Sequence, residues 1–270
     1  MSSPDSITKS TFQSLLSKYP ALIESSSKAK PGQKPLKDLD SYRYDQAPTF
    51  FHTQRQKMTL SDVQALVEWK LRHGKFRPTL MSLVSSNPPS FTEETISSAI
   101  KLYRMNPGQN AQKALDTLTK LRGVGPATAS LLLNVHDPER VVFFSDELFY
   151  WLCCGGQKGA IKYNAREYSE LRRRAEEVAA RLGVGMLDVE KVAYVVMREG
   201  KLEEGKKDGK KSEGKRFEGT KRVKGEDVKK AKNEGVLKTV VKGEEERPQT
   251  KRKTDEVDET GLRRSKRQRG

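Results

Sequence analysis

The chain has 270 residues, of which 34% are apolar and 7% aromatic, and 52 basic against 36 acidic residues give it a net charge of +16. No apolar run approaches the ~18 residues that a bilayer-spanning helix needs, and the N-terminus has no signal-peptide pattern, so we expect no membrane partner. The only cysteines, Cys153 and Cys154, are adjacent, which excludes a secreted disulfide framework and a four-cysteine iron–sulfur cluster. The basic excess favours polyanionic partners.

Apolar periodicity predicts an all-α fold for residues 1–198. An amphipathic helix is predicted over 11–23, and the Lys-, Pro- and Gly-rich stretch 27–39 is interpreted as a linker. Ser90 and Glu93 form the pattern of a capping box, and only residues 141–144 resemble a strand. Further helices are predicted over residues 59–73, 77–86, 91–105, 110–121, 126–136, 146–154, 163–182 and 186–198.

Within residues 115–133, an apolar helix is interrupted at Gly-Val-Gly-Pro and a second apolar helix starts directly afterwards. Gly123 and Gly125 can adopt a positive φ without a Cβ clash, and Pro126 suits the first position of a helix. The free amides of such a turn and the positive end of the helix dipole bind phosphate oxygens without reading sequence. A tight turn without a ligand is the alternative. The DNA contacts predicted in this turn are Gly123, Val124, Gly125 and Thr128.

Residues 121–129 match the Leu-x-Gly-Val-Gly-x-x-Thr-Ala motif of the helix-hairpin-helix (HhH-GPD) superfamily of DNA base-excision glycosylases, which the chain therefore resembles. Its closer resemblance is to the amun-like eukaryotic proteins, through WKLRHGKFRP at 69–78, the Gly-Val-Gly-Pro-Ala-Thr-Ala hairpin and a Ser-Asp-Glu. The resemblance implies two helical subdomains with a substrate groove between them, covering residues 40–198.

Asp146 follows Gly125 by 21 residues, and the resemblance implies that it is the essential aspartate at the start of the next helix. Cleavage of an N-glycosidic bond builds positive charge on the sugar, which a carboxylate stabilises while it orients water. An acidic residue at an ordinary helix start is the alternative. Bifunctional relatives carry a nucleophilic lysine where this chain has Ala127. The resemblance therefore implies a monofunctional enzyme without lyase activity.

Residues 69–77 interleave basic and aromatic side chains, a composition suited to gripping a phosphate backbone and wedging at a base step. A solvated helix end with Trp69 and Phe76 buried is the alternative. The basic residues predicted to bind DNA there are Lys70, Arg72, Lys75 and Arg77. Aromatic residues near Asp146 are candidates for stacking an extruded base, although most also fit a core pattern. The candidates for the base pocket are Trp151, Phe144 and Trp69.

Residues 199–270 contain 24 basic and 16 acidic residues and almost no aromatics, so we predict a disordered basic tail. Lys251 and Arg252, followed after ten residues by the basic run from Arg263 to Arg267, resemble a bipartite nuclear localisation signal. This pattern predicts a nuclear import receptor as partner and the nucleus as location. A generic basic tail that holds nucleic acid is the alternative.

Three segments are thus predicted: an N-terminal helix and linker (1–39), a helical glycosylase-like domain (40–198) and the tail (199–270). Two functions remain open, since a fold does not decide its function. One is a nuclear base-excision glycosylase that acts on double-stranded DNA, and the other is a non-catalytic chromatin or DNA-binding module. Neither needs a cofactor or a side-chain metal site, and the pattern leaves the recognised base and the oligomeric state open.

Overall fold

The computed structural model describes residues 2–27 and 31–209, and all of its regular elements are helical. The all-α prediction is confirmed for these residues, among which no helix is long and apolar enough to cross a membrane. The last helix continues to Gly209, past residue 199 where the disordered tail was predicted to begin. The rest of that tail, including both basic segments between 251 and 267, lies outside the described residues. The helices are α1 Lys9–Leu16, α2 Tyr19–Ser26, α3 Leu36–Ser41, α4 Leu60–His73, α5 Leu80–Ser85, α6 Pro89–Met105, α7 Pro107–Leu118, α8 Pro126–Asn134, α9 Asp146–Cys153, α10 Ala165–Leu182 and α11 Met186–Gly209.

Local signals set most helix ends. Thr59 and Asp62 form a reciprocal capping box at the start of α4, while Gly183 ends α10 in the left-handed conformation. The capping box expected at Ser90 and Glu93 is absent, because α6 already begins at Pro89 and its N-cap makes no side-chain hydrogen bond.

Two other local predictions differ from the structure, and one local feature was not predicted. The single helix expected over 11–23 is two helices, because Pro20 lacks the N–H that would continue α1 and instead occupies the first turn of α2. Leu36 and Leu39 are buried in α3, inside the stretch interpreted as a linker. Two π-helical turns, Tyr42–Gln46 and Thr49–Thr53, follow α3 without a sequence signal.

The segment 141–144 is buried but is not a strand. Side chains, rather than a neighbouring strand, make the hydrogen bonds of its backbone. Asn134 donates to the Val141 carbonyl, and Tyr168 donates to the Val142 carbonyl at 3.0 Å. The Phe144 N–H donates to the Ser130 hydroxyl at 2.9 Å. The continuous apolar run Val-Val-Phe-Phe thus reflects burial on all sides.

Helix packing brings three helix ends together. α8 packs against α4 and α7, and α9 packs against α10 and α11. As a result, the last turn of α4, the first turn of α8 and the first turn of α9 border the same cavity.

The N-terminal segment closes onto the last helices. The Trp151 indole N–H donates to the Ser2 carbonyl at 2.8 Å, and Arg181 donates to the carbonyls of Pro4 and Ile7 at 2.7 and 2.8 Å. α1 and α2 pack against α11, where Lys18 pairs with Glu199 at 2.8 Å. Residues far apart in sequence therefore share one core.

The core also contains an ion pair that the sequence pattern did not predict. Arg43 and Glu190 are both buried and lie 3.4 Å apart. Tyr44 donates to Glu190 at 2.8 Å, and Arg43 donates to Asn134 at 2.6 Å. Burial raises the pKa of Glu190, whereas Arg43 and Tyr44 oppose that rise. The pair joins the first π-helical turn, α8 and α11.

Candidate active site

Asp146 is the first residue of α9 and borders a cavity that lies against the ends of α4 and α8. Ser145 is extended, and its hydroxyl accepts the Leu148 N–H at 3.1 Å, so the helix begins directly at Asp146. Leu148 and Trp151 anchor α9 in the core. Asp146 itself is half-buried at the helix start, where the dipole favours a negative charge.

Tyr163 covers the carboxylate and was not predicted from the sequence. Its hydroxyl donates to Asp146 Oδ1 at 2.5 Å and accepts from Arg77 Nη2 at 3.2 Å. Burial, followed by Asp146, raises the pKa of Tyr163. The residue has a φ of 52°, which is uncommon for a non-glycine residue and strained. A carboxylate, a phenol and a guanidinium thus form one hydrogen-bonded chain.

Lys70 brings an amine into the cavity from α4. Its Nζ donates to the Thr128 hydroxyl at 2.7 Å. Burial, followed by the charge of Arg77, lowers the pKa of Lys70 to about 8, and Asp146 opposes this shift. Near neutral pH, about a tenth of the side chain is therefore the free amine.

Two neighbouring cavities make up the site. The first contains about 30 Å³ of free space, room for about one water molecule. The second, of about 200 Å³, reaches the glycine turn before α8. Both cavities are lined by Lys70, Arg77, Ala127 and Tyr163. Asp146 therefore lies close to the turn that was predicted to hold a DNA phosphate.

The two glycines of this turn have different roles. Gly123 has a φ of 78°, and an added Cβ would lie 2.9 Å from the Leu83 Cβ and 3.1 Å from the Val84 backbone nitrogen. Gly125 has an ordinary φ of −88° and faces open space. It precedes α8, which has no side-chain cap, so first-turn N–H groups of that helix remain available to a ligand.

The structure reassigns two of the residues predicted to contact DNA in this turn. Val124 is buried and its N–H donates to the Leu121 carbonyl at 3.1 Å. Thr128 is 2% exposed and accepts from Lys70. Neither side chain faces solvent, because apolar packing at the start of α8 orients both inward.

The basic residues near the end of α4 also differ in their exposure and contacts. Lys75 and Arg77 are exposed and line the first cavity. Arg72 instead donates to the Lys34 carbonyl and lies 3.8 Å from Glu68. Phe76 is 66% exposed, in contrast to the alternative that it is buried.

Of the three candidates for the base pocket, only Phe144 lines the first cavity. Trp69 and Trp151 are both fully buried. Trp69 stacks on His73 with ring centroids 4.5 Å apart, and Trp151 packs under the N-terminal segment. Both indoles are core residues, because their helices turn their apolar faces inward.

His73 connects the cavity to the core. It lines the first cavity, and its ring stacks on Tyr194 with centroids 3.9 Å apart. Burial, followed by the charges of Arg198 and Arg43, lowers the pKa of His73 well below its usual value. The ring is therefore neutral at physiological pH.

No family model, curated protein or solved structure matches this chain.

Proposed function

We propose that this protein is a nuclear DNA-binding protein that acts as a monofunctional DNA glycosylase of the helix-hairpin-helix kind, hydrolysing the N-glycosidic bond of a damaged or modified base. Asp146 is its catalytic carboxylate. The observation that carries the proposal is the position of Asp146, whose cavity shares four lining residues with the cavity at the glycine turn. A group that stabilises a cationic sugar thus lies beside a group that holds a phosphate.

The turn before α8 is the phosphate contact. Gly125 is exposed and α8 is uncapped, so a phosphate oxygen accepts first-turn N–H groups at the positive end of the helix. Lys75 and Arg77 add positive charge on the same side. These contacts read the backbone alone, which lets the protein move along duplex DNA.

Asp146 acts on the sugar. As the bond to the base lengthens, positive charge develops on the sugar ring, and the carboxylate stabilises it and orients a water molecule for attack at C1′. Because the Asp146 cavity has room for about one water, an extruded base needs Tyr163 to move aside. Phe76 is exposed beside the cavity and fills the gap that the base leaves in the stack.

Lys70 supports a second candidate function, which is strand cleavage at an abasic site. Its neutral amine adds to C1′ of the open-chain sugar aldehyde, and loss of water gives an imine. Transfer of a C2′ proton to solvent then breaks the C3′–O bond, with the phosphate as leaving group. The lowered pKa of Lys70 favours this chemistry, although Ala127 occupies the hairpin position of the usual lysine.

The test is excision from duplexes that carry uracil, 8-oxoguanine, alkylated purines or mismatches, read as strand cleavage after alkali. We expect the native protein to excise one of these bases and Asp146→Asn to lose at least ~100-fold in rate. Asp188→Asn is the matched control, since Asp188 is also an acid in a first helical turn. Intact duplexes throughout, with binding retained, would favour the non-catalytic DNA-binding module.

A further inference from the structure

A third cavity, of about 440 Å³, lies at the opposite end of α8 from the glycine turn. Its walls are α6, the segment 55–58 that precedes α4, and His136, which follows α8. It shares no lining residue with the Asp146 cavity. Its volume is in the range of small-molecule sites.

The charged residues that line this cavity all have the same sign. They are Arg55, Lys57, Lys101 and Arg104, and within the described part of the chain no carboxylate lines the cavity. The neighbouring Asp137 is engaged elsewhere, because it accepts from Tyr103 at 2.7 Å and pairs with Arg140 at 3.6 Å. Burial and then the positive charge of Arg55 lower the pKa of Arg104. The four cations therefore repel one another until an anion binds.

His136 gives the cavity a buried polar group whose ring nitrogens make no hydrogen bond of ordinary geometry. The residue is 6% exposed, and neither ring nitrogen makes a hydrogen bond of ordinary geometry. Burial, followed by Arg104, lowers its pKa to about 3, although the nearby Phe51 carbonyl opposes this. That carbonyl already accepts from Arg104 at 3.1 Å. The neutral ring offers one donor and one acceptor, and a buried polar group without partners is costly.

The rest of the cavity is apolar. Met58, Ile96 and Ile100 are buried and form its floor, and Met105 is 74% exposed at its edge. A bare inorganic anion would leave this surface and the His136 nitrogens unused. The cavity thus fits a ligand with an anionic end, an apolar body and a polar edge.

We propose that this third cavity binds a nucleoside phosphate, either free or as the phosphorylated end of a DNA strand. The phosphate lies among Arg55, Lys101 and Arg104. The base rests on the apolar floor, with its hydrogen-bonding edge towards His136. This site is separate from Asp146 and does not depend on the proposed glycosylase reaction.

Titration of the full-length protein with the four deoxynucleoside 5′-monophosphates, followed by calorimetry and thermal shift, tests the proposal. Arg55→Gly combined with Lys101→Gln removes two exposed cations. The fold should tolerate this change, because Arg55 has a φ of 57°, a conformation that glycine adopts freely. We expect at least ~10-fold weaker nucleotide binding. Lys120→Gln, which changes an exposed residue outside the cavity, should leave nucleotide binding unchanged.

Two further measurements separate the parts of the proposal. His136→Phe should weaken nucleotide binding and leave inorganic phosphate binding unchanged. A 5′-phosphorylated oligonucleotide that binds more tightly than its 5′-hydroxyl counterpart assigns the site to strand ends, and preference for mononucleotides assigns it to free nucleotides. Absence of nucleotide binding, or equal binding by the native protein and the Arg55→Gly/Lys101→Gln variant, would overturn the proposal.

Discussion

The two ends of α8 present contrasting cavities. At its start, Asp146 lies among Lys70, Lys75 and Arg77. Beyond its end, four cations surround a neutral histidine, with no carboxylate among the described lining residues. The helix has nine residues, so about 13 Å separates its ends.

This difference bears on what each cavity can do. A uniformly positive cavity attracts an anion but has no group that stabilises a developing positive charge. A carboxylate among cations weakens phosphate binding slightly but meets the requirement of glycosidic bond cleavage. We therefore assign catalysis to the Asp146 cavity and ligand binding to the cavity beyond the end of α8.

After the ~100-fold loss of excision expected for Asp146→Asn, the next largest expected effect tests the second candidate function, in which Lys70 is a nucleophile. With duplex DNA that carries an abasic site, borohydride should trap an imine at Lys70. Its yield should rise as the pH increases through about 8, because only the deprotonated amine attacks. Lys70→Met has no amine to form this imine, and it should lower the rate of strand cleavage at the abasic site at least ~10-fold.

Peptide mapping of the trapped adduct is essential, because the tail supplies many other lysines. Lys75→Met is the control, since Lys75 lines the same cavity but is exposed. Adducts confined to other lysines would refute the lyase function. Base excision by the same sample would show that the glycosylase proposal stands without it.

Replacing Gly123 should destabilise the fold. In Gly123→Ala the new methyl group would lie 2.9 Å from the Leu83 Cβ at a positive φ, so we expect a loss of about 1–3 kcal/mol in the free energy of unfolding. Urea denaturation measures this loss. An unchanged midpoint would show that α5 adjusts freely to the turn.

Gly125→Ala should separate binding from stability. The added Cβ meets no atom within 4 Å, so the free energy of unfolding should change by less than about 0.5 kcal/mol. The methyl group stands where a phosphate would approach, and duplex affinity should fall several-fold. Fluorescence anisotropy at two salt concentrations measures it. Unchanged affinity would move the phosphate contact away from this turn.

The smallest expected effect is on binding by Asp146→Asn. Removing a negative charge from a phosphate-binding face should tighten duplex binding about two- to threefold at low salt and less at high salt. Arg55→Gly, at the other end of α8, should instead weaken nucleotide binding, because it removes a positive charge. Weaker duplex binding by Asp146→Asn would indicate that the carboxylate positions Tyr163 and Arg77.

The sequence predicted the helix starts, which depend on residues close together in the chain. α4, α8 and α9 begin within a residue of their predicted starts, since caps and apolar periodicity are local signals. The helix break before Pro20 and the two π-helical turns were not predicted, because neither interrupts the apolar pattern. The segment 141–144 resembles a strand in composition but forms none, since burial alone produces that composition.

The site was predictable where a motif fixes spacing and not where tertiary structure does. Asp146 and Gly125 were paired by sequence distance, and they do border adjacent cavities. Tyr163 reaches Asp146 from a connecting segment with an unusual φ, which no periodicity indicates. Lys70 was predicted as a phosphate contact, but its burial and its bond to Thr128 follow from helix packing.

The closure of the N-terminal segment onto the last helices has a consequence during synthesis. The Ser2 and Ile7 carbonyls accept hydrogen bonds from Trp151 and Arg181, and Lys18 pairs with Glu199. At roughly 5–20 residues per second, a ribosome needs on the order of 10–40 s to extend from one partner to the other. During that interval, the apolar faces of α1 and α2 remain without their final partners, and the nascent chain is most exposed to chaperones and proteases.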